Sequence, residues 1–152
     1  MYVSISEIDL VTVLGLDRSL SPGEIDQLLD SLSEEIFFRL LTEKLPKLLS
    51  KKDFQYLHDK YLMSDDLDAL MKEIQEKWPG INIDIHFKQT ASEVKREYMI
   101  NYLSELKEDY KDRNVQISAE LLIKELQKDQ VNLDRCLSLK EEIIKSLIKI
   151  NR

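Results

Sequence analysis

Hydrophobic side chains recur every three or four residues through most of the chain, and short polar segments separate these runs. This spacing places the apolar residues of each run on one face of an α-helix. A hydroxyl residue followed three positions later by an acid is typical of a helix start. Gly15 and the Pro79-Gly80 pair predict helix ends. Starts of this kind are predicted at Ser4–Glu7, Ser21–Glu24, Ser50–Asp53 and Thr90–Glu93. A further start is predicted at Ser64–Leu67, where acids in the first turn suit the helix dipole.

The longest run predicts a helix from Ser21 to at least Lys44, because Pro46 disfavours helical geometry just before it. From Phe37 onward its apolar residues lie around most of the circumference, and such a helix must be covered on several sides. We therefore expect this stretch to be either the central helix of the fold or the place where a second chain docks. The candidate interface residues are Glu35, Phe37, Phe38, Arg39, Leu41 and Glu43.

The Pro79-Gly80 break predicts a domain boundary, since residues 81–152 contain no Gly and no Pro. The predicted domains are an acidic bundle of about four helices at residues 1–80 and a helical hairpin extension at residues 81–152. Residues 81–87 alternate apolar and polar side chains, so a short strand-like segment is one alternative there to a helix or a linker. The last helix is expected to begin near Ser118, and Asn132 to cap its second part. The predicted fold class is all-α.

The composition supports this class and excludes others. The 152 residues include 3 Gly and 3 Pro, too few for the hairpin turns of an all-β sandwich or barrel. A single cysteine, Cys136, cannot form an intramolecular disulfide, so the expected location is cytoplasmic. The N-terminus has no secretory-signal pattern, and no run approaches the roughly 18 apolar residues of a membrane span.

Charge is distributed unevenly. The net charge is -7, and residues 1–43 carry all of it, because they hold nine acids and two bases while the rest is balanced. This segment is either a solvated helix face or an acidic docking surface for a basic partner. The acidic balance disfavours nucleic acid as a partner.

Two smaller groups of charged residues have alternative interpretations. Glu35, Arg39 and Glu43 follow at four-residue spacing, which indicates an ion-pair ladder or a buried arginine that fixes a partner. A lysine cluster around Pro46 could contact an anionic surface, pair with the acidic segment in a dimer, or be solvated. Its members are Lys44, Lys47, Lys51 and Lys52.

Residues suited to catalysis are few. His58 and His86 lie on different predicted segments, and His58 is expected to be exposed. Cys136 lies on an apolar helix stripe and is expected to be a small buried hydrophobe. Asn82, Asp84 and His86 would share a strand face, but three ligands at that spacing make a zinc site improbable. We expect no metal and no cofactor, and no small-molecule substrate is evident.

The helix signals of the first half follow a recognisable order. Leu14-Gly15-Leu16 ends a short helix, Leu20–Glu24 begins a long one with an Arg39-Leu40-Leu41 core, and Leu49–Asp53 begins the next. This order, which extends to Pro79, resembles a small helical family of unknown function from bacteria with reduced genomes. The resemblance implies a helical fold for about half of the chain and assigns no catalytic or binding residue. Residues 81–152 depart from it as an extension.

These observations predict a non-enzymatic cytoplasmic protein–protein interaction module, either an adaptor or an assembly subunit. It would bind a protein partner or a second copy through its apolar helix surface and its acidic N-terminal face, without contacting a membrane. Three alternatives remain open. They are an inhibitor or regulator whose acidic face binds a basic partner, a nucleic-acid-associated protein using the Lys44–Lys52 cluster, and a small helical enzyme.

Overall fold

The computed structural model describes residues 1–151, and its regular structure is almost entirely helical. This confirms the predicted all-α class. None of the described helices is both long and apolar enough to span a membrane. The helices are α1 (Leu10–Leu14), α2 (Pro22–Arg39), α3 (Leu45–Leu48), α4 (Lys51–Tyr61), α5 (Leu67–Lys77), α6 (Ile83–Asp109), α7 (Arg113–Leu126) and α8 (Leu133–Ile150).

The strand suggested for residues 81–87 is wrong, because α6 begins at Ile83 and includes the rest of that segment. The side-chain oxygen of Asn82 accepts a hydrogen bond from the backbone N–H of Ile85 at 3.3 Å. Ile83 is buried whereas Ile85 is half exposed, so the alternating isoleucines do not line one face of a sheet. The strands in the described chain are β1 (Tyr2–Val3) and β2 (Val131–Asn132), which pair antiparallel.

Several predicted helix ends are confirmed in atomic detail. At the start of α2, Glu24 accepts from the backbone N–H of Ser21 at 3.0 Å, and the Ser21 hydroxyl accepts from the N–H of Glu24 at 3.2 Å. This reciprocal pair is the capping box. Ser50 caps α4, and Asn132 caps α8 as predicted. Gly15 ends α1 in the left-handed conformation with a φ of 67°.

Two predicted starts are wrong. Ser4 precedes a short 3₁₀ turn and makes no capping hydrogen bond, and Asp9 caps α1 instead. Thr90 lies inside α6, where its hydroxyl donates to the carbonyl of His86 at 2.7 Å. The last part of the chain also differs, since α7 begins at Arg113, before the predicted Ser118, with Asp112 as its cap.

Pro46 widens the long N-terminal helix rather than ending it at once. Residues Leu40–Lys44 form a π-helical turn between α2 and α3, and the N–H of Leu45 donates to the carbonyl of Leu40, five residues back. A proline lacks an N–H and its ring would collide with the carbonyl four residues earlier, here that of Thr42. The wider turn relieves this conflict and keeps the chain helical to Leu48.

Two compact units make up the chain. The first comprises residues 1–26 and the chain from residue 95 onward, and the second comprises residues 27–94. The limits of these units lie within α2 and α6. The predicted boundary after residue 80 does not coincide with them, because Ile83, Ala91 and Val94 belong to the same core as α4 and α5.

Leucine, isoleucine and aromatic side chains fill the core of the second unit. They come from the end of α2, the π-helical turn, and helices α3 to α6. Trp78 packs against this core and donates its indole N–H to a carboxylate oxygen of Asp53 at 3.1 Å. The fully buried members include Leu40, Leu45, Leu57, Leu70, Ile74 and Ile83.

In the first unit α7 and α8 pack against each other, as predicted for the C-terminal hairpin. Two cations of α6 secure neighbouring backbone. Lys95 donates to the carbonyls of Ser6 and Ile8 at 2.9 and 3.0 Å, and Arg96 donates to the carbonyl of Leu126 at 2.9 Å. These bonds satisfy carbonyls at helix and turn ends that have no intrahelical partner.

Candidate interaction surface

Most side chains of α2, which runs from the first unit into the second, are exposed or only partly buried. Within this 18-residue helix, all of which the structure describes, only Ile36 and Phe37 are buried, and both lie near its C-terminal end. Leu29 and Phe38 leave 42 % and 56 % of their surfaces exposed. A helix gains most of its stability in a protein by packing an apolar face. The uncovered length of α2 therefore leaves apolar surface available to a partner.

The exposed ring of Phe38 lies among carboxylates. Asp30, Glu34 and Phe38 follow at four-residue spacing and share one side of α2, and Glu35 lies beside them. All four side chains are exposed. We refer to Asp30, Glu34, Glu35 and Phe38 as the Phe38 face. It combines one aromatic anchor with an acidic surround, an arrangement that suits a partner carrying apolar and basic residues.

Two of the predicted interface residues are not at the surface. Phe37 and Leu41 are buried in the core of the second unit, so assigning them to an interface is wrong. Their side chains, together with that of Leu40, point into the packed interior formed with α4, α5 and α6. The apolar residues around the helix circumference thus mark a central helix, which was the first of the two expectations.

Arg39 lies beside the Phe38 face. Its guanidinium Nε lies 2.8 Å from a carboxylate oxygen of Glu35, one helical turn earlier, and 18 % of the side chain is exposed. Glu43 is exposed beyond it, within the π-helical turn. The predicted ion pair between positions 35 and 39 is therefore present, and it orients Glu35 at the edge of the Phe38 face.

The predicted lysine cluster is only partly free to contact an anion. The ammonium group of Lys44 lies 2.8 Å from a carboxylate oxygen of Glu93 on α6. Lys47, Lys51 and Lys52 are exposed. The cluster therefore presents three solvated lysines, a composition common on helix surfaces.

The residues considered for catalysis do not converge on one another. Cys136 is buried, and desolvation raises the pKa of its thiol to about 11, so the reactive thiolate is not populated near neutral pH. His58 is partly buried, contrary to expectation, with its ring 5.5 Å from that of Phe54. The described residues include no cluster of three or more metal-ligating side chains.

A buried carboxylate in the second unit was not predicted. Glu73 on α5 is 8 % exposed, and it accepts hydrogen bonds from Tyr61, Lys60 and Lys77 at 2.7, 2.6 and 3.0 Å. Burial alone would raise its pKa, but the three donors outweigh that effect and lower the pKa to about 2. The only sequence signal is the position of Glu73 at the edge of the stripe formed by Leu70 and Ile74.

A second buried carboxylate lies in the first unit. Glu125 on α7 is 2 % exposed, with one carboxylate oxygen 3.1 Å from the ammonium of Lys128 and the other 3.6 Å from Arg135. Both cations are half exposed. Glu125 therefore joins α7 to the start of α8 by charge, and this arrangement is structural.

None of the protein-family models, curated proteins or solved structures that were compared with the chain matches it. The resemblance of the first half to a helical family therefore stays a prediction. The candidate site consequently depends on the geometry of the Phe38 face, an exposed aromatic side chain with acidic neighbours.

Proposed function

We propose that the protein is a non-enzymatic interaction module whose Phe38 face binds a basic, partly apolar segment of a partner protein. The observation that carries this proposal is the exposure of Phe38 on a long helix that is buried only near its C-terminal end. A large aromatic side chain at the centre of a patch is a common anchor in protein interfaces. A cytoplasmic location belongs to the same proposal, consistent with a buried cysteine that has no disulfide partner.

Charge favours a basic partner over a second copy of the chain. Helix α2 carries five acids and one arginine, so two copies placed face to face would bring like charges together. Opposite charge on a partner would instead speed its association and improve its selectivity, and both effects would weaken in salt. The capping box and the Glu35–Arg39 pair are local contacts that stabilise the helical conformation of α2 without a partner.

Affinity capture from the source cells tests this function. The tagged wild-type protein, Phe38→Asp and Met63→Asp are used as baits, and the captured proteins are quantified by mass spectrometry. Met63 is 96 % exposed, which makes it a matched apolar control in a loop outside α2. We expect Phe38→Asp to lose a basic partner that the other two baits retain, and added salt to release that partner.

The same three proteins are compared by circular dichroism and by sedimentation velocity. Phe38 is exposed, so the aspartate variant should retain its helix content and stability. Equal capture of the same partners by all three baits, with the variant folded, would contradict a role for the Phe38 face. A dimer that only Phe38→Asp dissociates would show that the occupant is a second copy.

A further inference from the structure

The first unit contains a cavity that is independent of the Phe38 face. Its volume is about 530 Å³, and it lies between the end of α1, the C-terminal part of α6, and helices α7 and α8. This volume falls within the range of about 300–1,000 Å³ that is usual for small-molecule sites. The walls are mainly aliphatic and include Val13, Leu103, Leu106, Leu122, Ile143 and Leu147.

Gly15 shapes one wall of the cavity. A Cβ atom added at this position would lie 2.9 Å from the Cδ1 of Ile144 and 3.3 Å from the Cδ of Lys140. The absence of a side chain therefore lets α8 approach the end of α1 closely. It also leaves room for the aliphatic part of the Lys140 side chain to lie along the wall, while the ammonium group lies at the far end of that side chain.

The charges that face the cavity have one sign. Among the described residues that line it, the charged ones are Arg18 and Lys140. Both approach the carboxylate of Glu141, at 3.7 and 3.1 Å, so two cations share one anion. Among the described groups there, two positive charges meet one negative charge, in a protein whose net charge is -7. Only 15 % of the Lys140 side chain is exposed, and its ammonium group is held beside the cavity by the pair with Glu141.

Neutral polar groups complete the lining. Ser19, Tyr102 and Asn151 also face the cavity. The Tyr102 phenol is protonated at neutral pH, desolvation raises its pKa further, and its hydroxyl can donate a hydrogen bond. An apolar cavity whose described lining has donors and cations but no acid suits a ligand with an alkyl chain and an anionic head.

We propose that this cavity binds a free single-chain amphiphile with a carboxylate head, such as a medium- or long-chain fatty acid. The alkyl chain occupies the aliphatic part between α6, α7 and α8. The carboxylate lies against Arg18 and Lys140 and shares them with Glu141. Burial of the chain supplies most of the affinity, and the two cations select an anionic head over a cationic one.

Isothermal titration calorimetry with monomeric probes tests this proposal. The probes are dodecanoate, decanoate and dodecyltrimethylammonium below their micellar concentrations, and dodecanol below its solubility limit. We expect one dodecanoate per protein, and about fourfold weaker binding for each methylene removed from the chain. The double variant Arg18→Met with Lys140→Met should weaken dodecanoate binding at least tenfold while leaving dodecanol binding unchanged. Lys145→Met, at an exposed position of α8 outside the lining, is the matched control.

A cavity-filling variant locates the binding site. Leu106→Trp places a larger side chain in the cavity, and dodecanoate binding should be lost while the far-ultraviolet circular dichroism is retained. If that variant does not fold, Ile148→Trp at the half-exposed rim provides the same test.

Three results would overturn the proposal. One is dodecanoate binding that does not saturate, or that has the same affinity in the methionine and tryptophan variants as in the wild type. Another is equal affinity for dodecyltrimethylammonium. The third is binding only to vesicles of phosphatidylglycerol, or a dimer that Leu106→Trp dissociates, because the occupant would then be a membrane surface or a second copy.

Discussion

Replacing Glu73 by Gln should destabilise the second unit in a strongly pH-dependent way. The carboxylate of Glu73 accepts hydrogen bonds from Tyr61, Lys60 and Lys77 inside a nearly closed environment. Glutamine keeps the shape of the side chain and one acceptor oxygen, so the Tyr61 hydroxyl retains a partner. What the variant loses is the negative charge, and with it the attraction to two ammonium groups.

The magnitude follows from the pKa. The carboxyl group of Glu73 has a pKa of about 2 in the folded chain, against an ordinary value of 4.5. A difference of this size corresponds to about 3 kcal/mol of stability at neutral pH. Lys60 and Lys77 are each half exposed, so water screens part of the attraction. We therefore expect Glu73→Gln to lower the free energy of unfolding by about 2 kcal/mol.

The sign of the pH dependence is fixed by the direction of the shift. A lowered folded-state pKa means that the stabilisation is complete above pH 4.5 and is lost as the pH falls towards 2. The stability difference between wild type and Glu73→Gln should therefore be largest at neutral pH. It should shrink progressively below pH 4.5 and almost vanish near pH 2.

Urea unfolding followed by tryptophan fluorescence measures this difference. Trp78 is the only tryptophan and packs against the core of the second unit, so its emission reports that unit. Glu76→Gln, at an exposed position of the same helix, is the control and should change stability by less than about 0.5 kcal/mol. A wild-type to Glu73→Gln difference that stays constant from pH 7 to pH 2.5 would refute this account of the buried carboxylate.

Three further predictions concern helix ends and the thiol. Gly15→Ala should lower the free energy of unfolding in urea by about 1–3 kcal/mol, because its φ is 67° and Ile144 lies 2.9 Å from the added Cβ. Gly23→Ala, with open space around it, should be neutral or slightly stabilising in the same measurement. Ser21→Ala should cost about 1 kcal/mol by removing the cap of α2, and an unchanged urea midpoint would contradict this. Cys136 is fully buried, so a thiol reagent at pH 8 should label it only as fast as the protein unfolds. Burial also raises the pKa of its thiol to about 11, and rapid labelling of the native protein would contradict this prediction.

Features that depend on neighbouring residues were predictable from the sequence. The capping box at Ser21 and Glu24, the cap at Asn132 and the glycine at position 15 all act over one helical turn. Their hydrogen bonds are fixed by spacing along the chain, so the helix boundaries near them were correct. Thr90, like Ser21, is followed by a glutamate three residues later, but it lies inside α6 because that helix starts earlier, at Ile83. The side chain of Thr90 is buried there.

Features that depend on packing were not predictable. Phe37 and Phe38 are adjacent and chemically identical, yet one is buried and the other is half exposed. Only the positions of α4, α5 and α6 decide which ring faces the core. The burial of Glu73 likewise depends on donors from α4. The cavity of the first unit depends on residues that are far apart in the sequence. No single-segment pattern contains this information.

Photo-crosslinking from position 38 in the source cells tests the proposed interaction surface most directly. A benzoylphenylalanine in place of Phe38 projects from the Phe38 face, and one in place of Met63 provides an equally accessible control. The account predicts an adduct from position 38 alone, joined to a basic segment of one partner protein and reduced by charge reversal at Glu34. No adduct from position 38, or the same adducts from both positions, would contradict it.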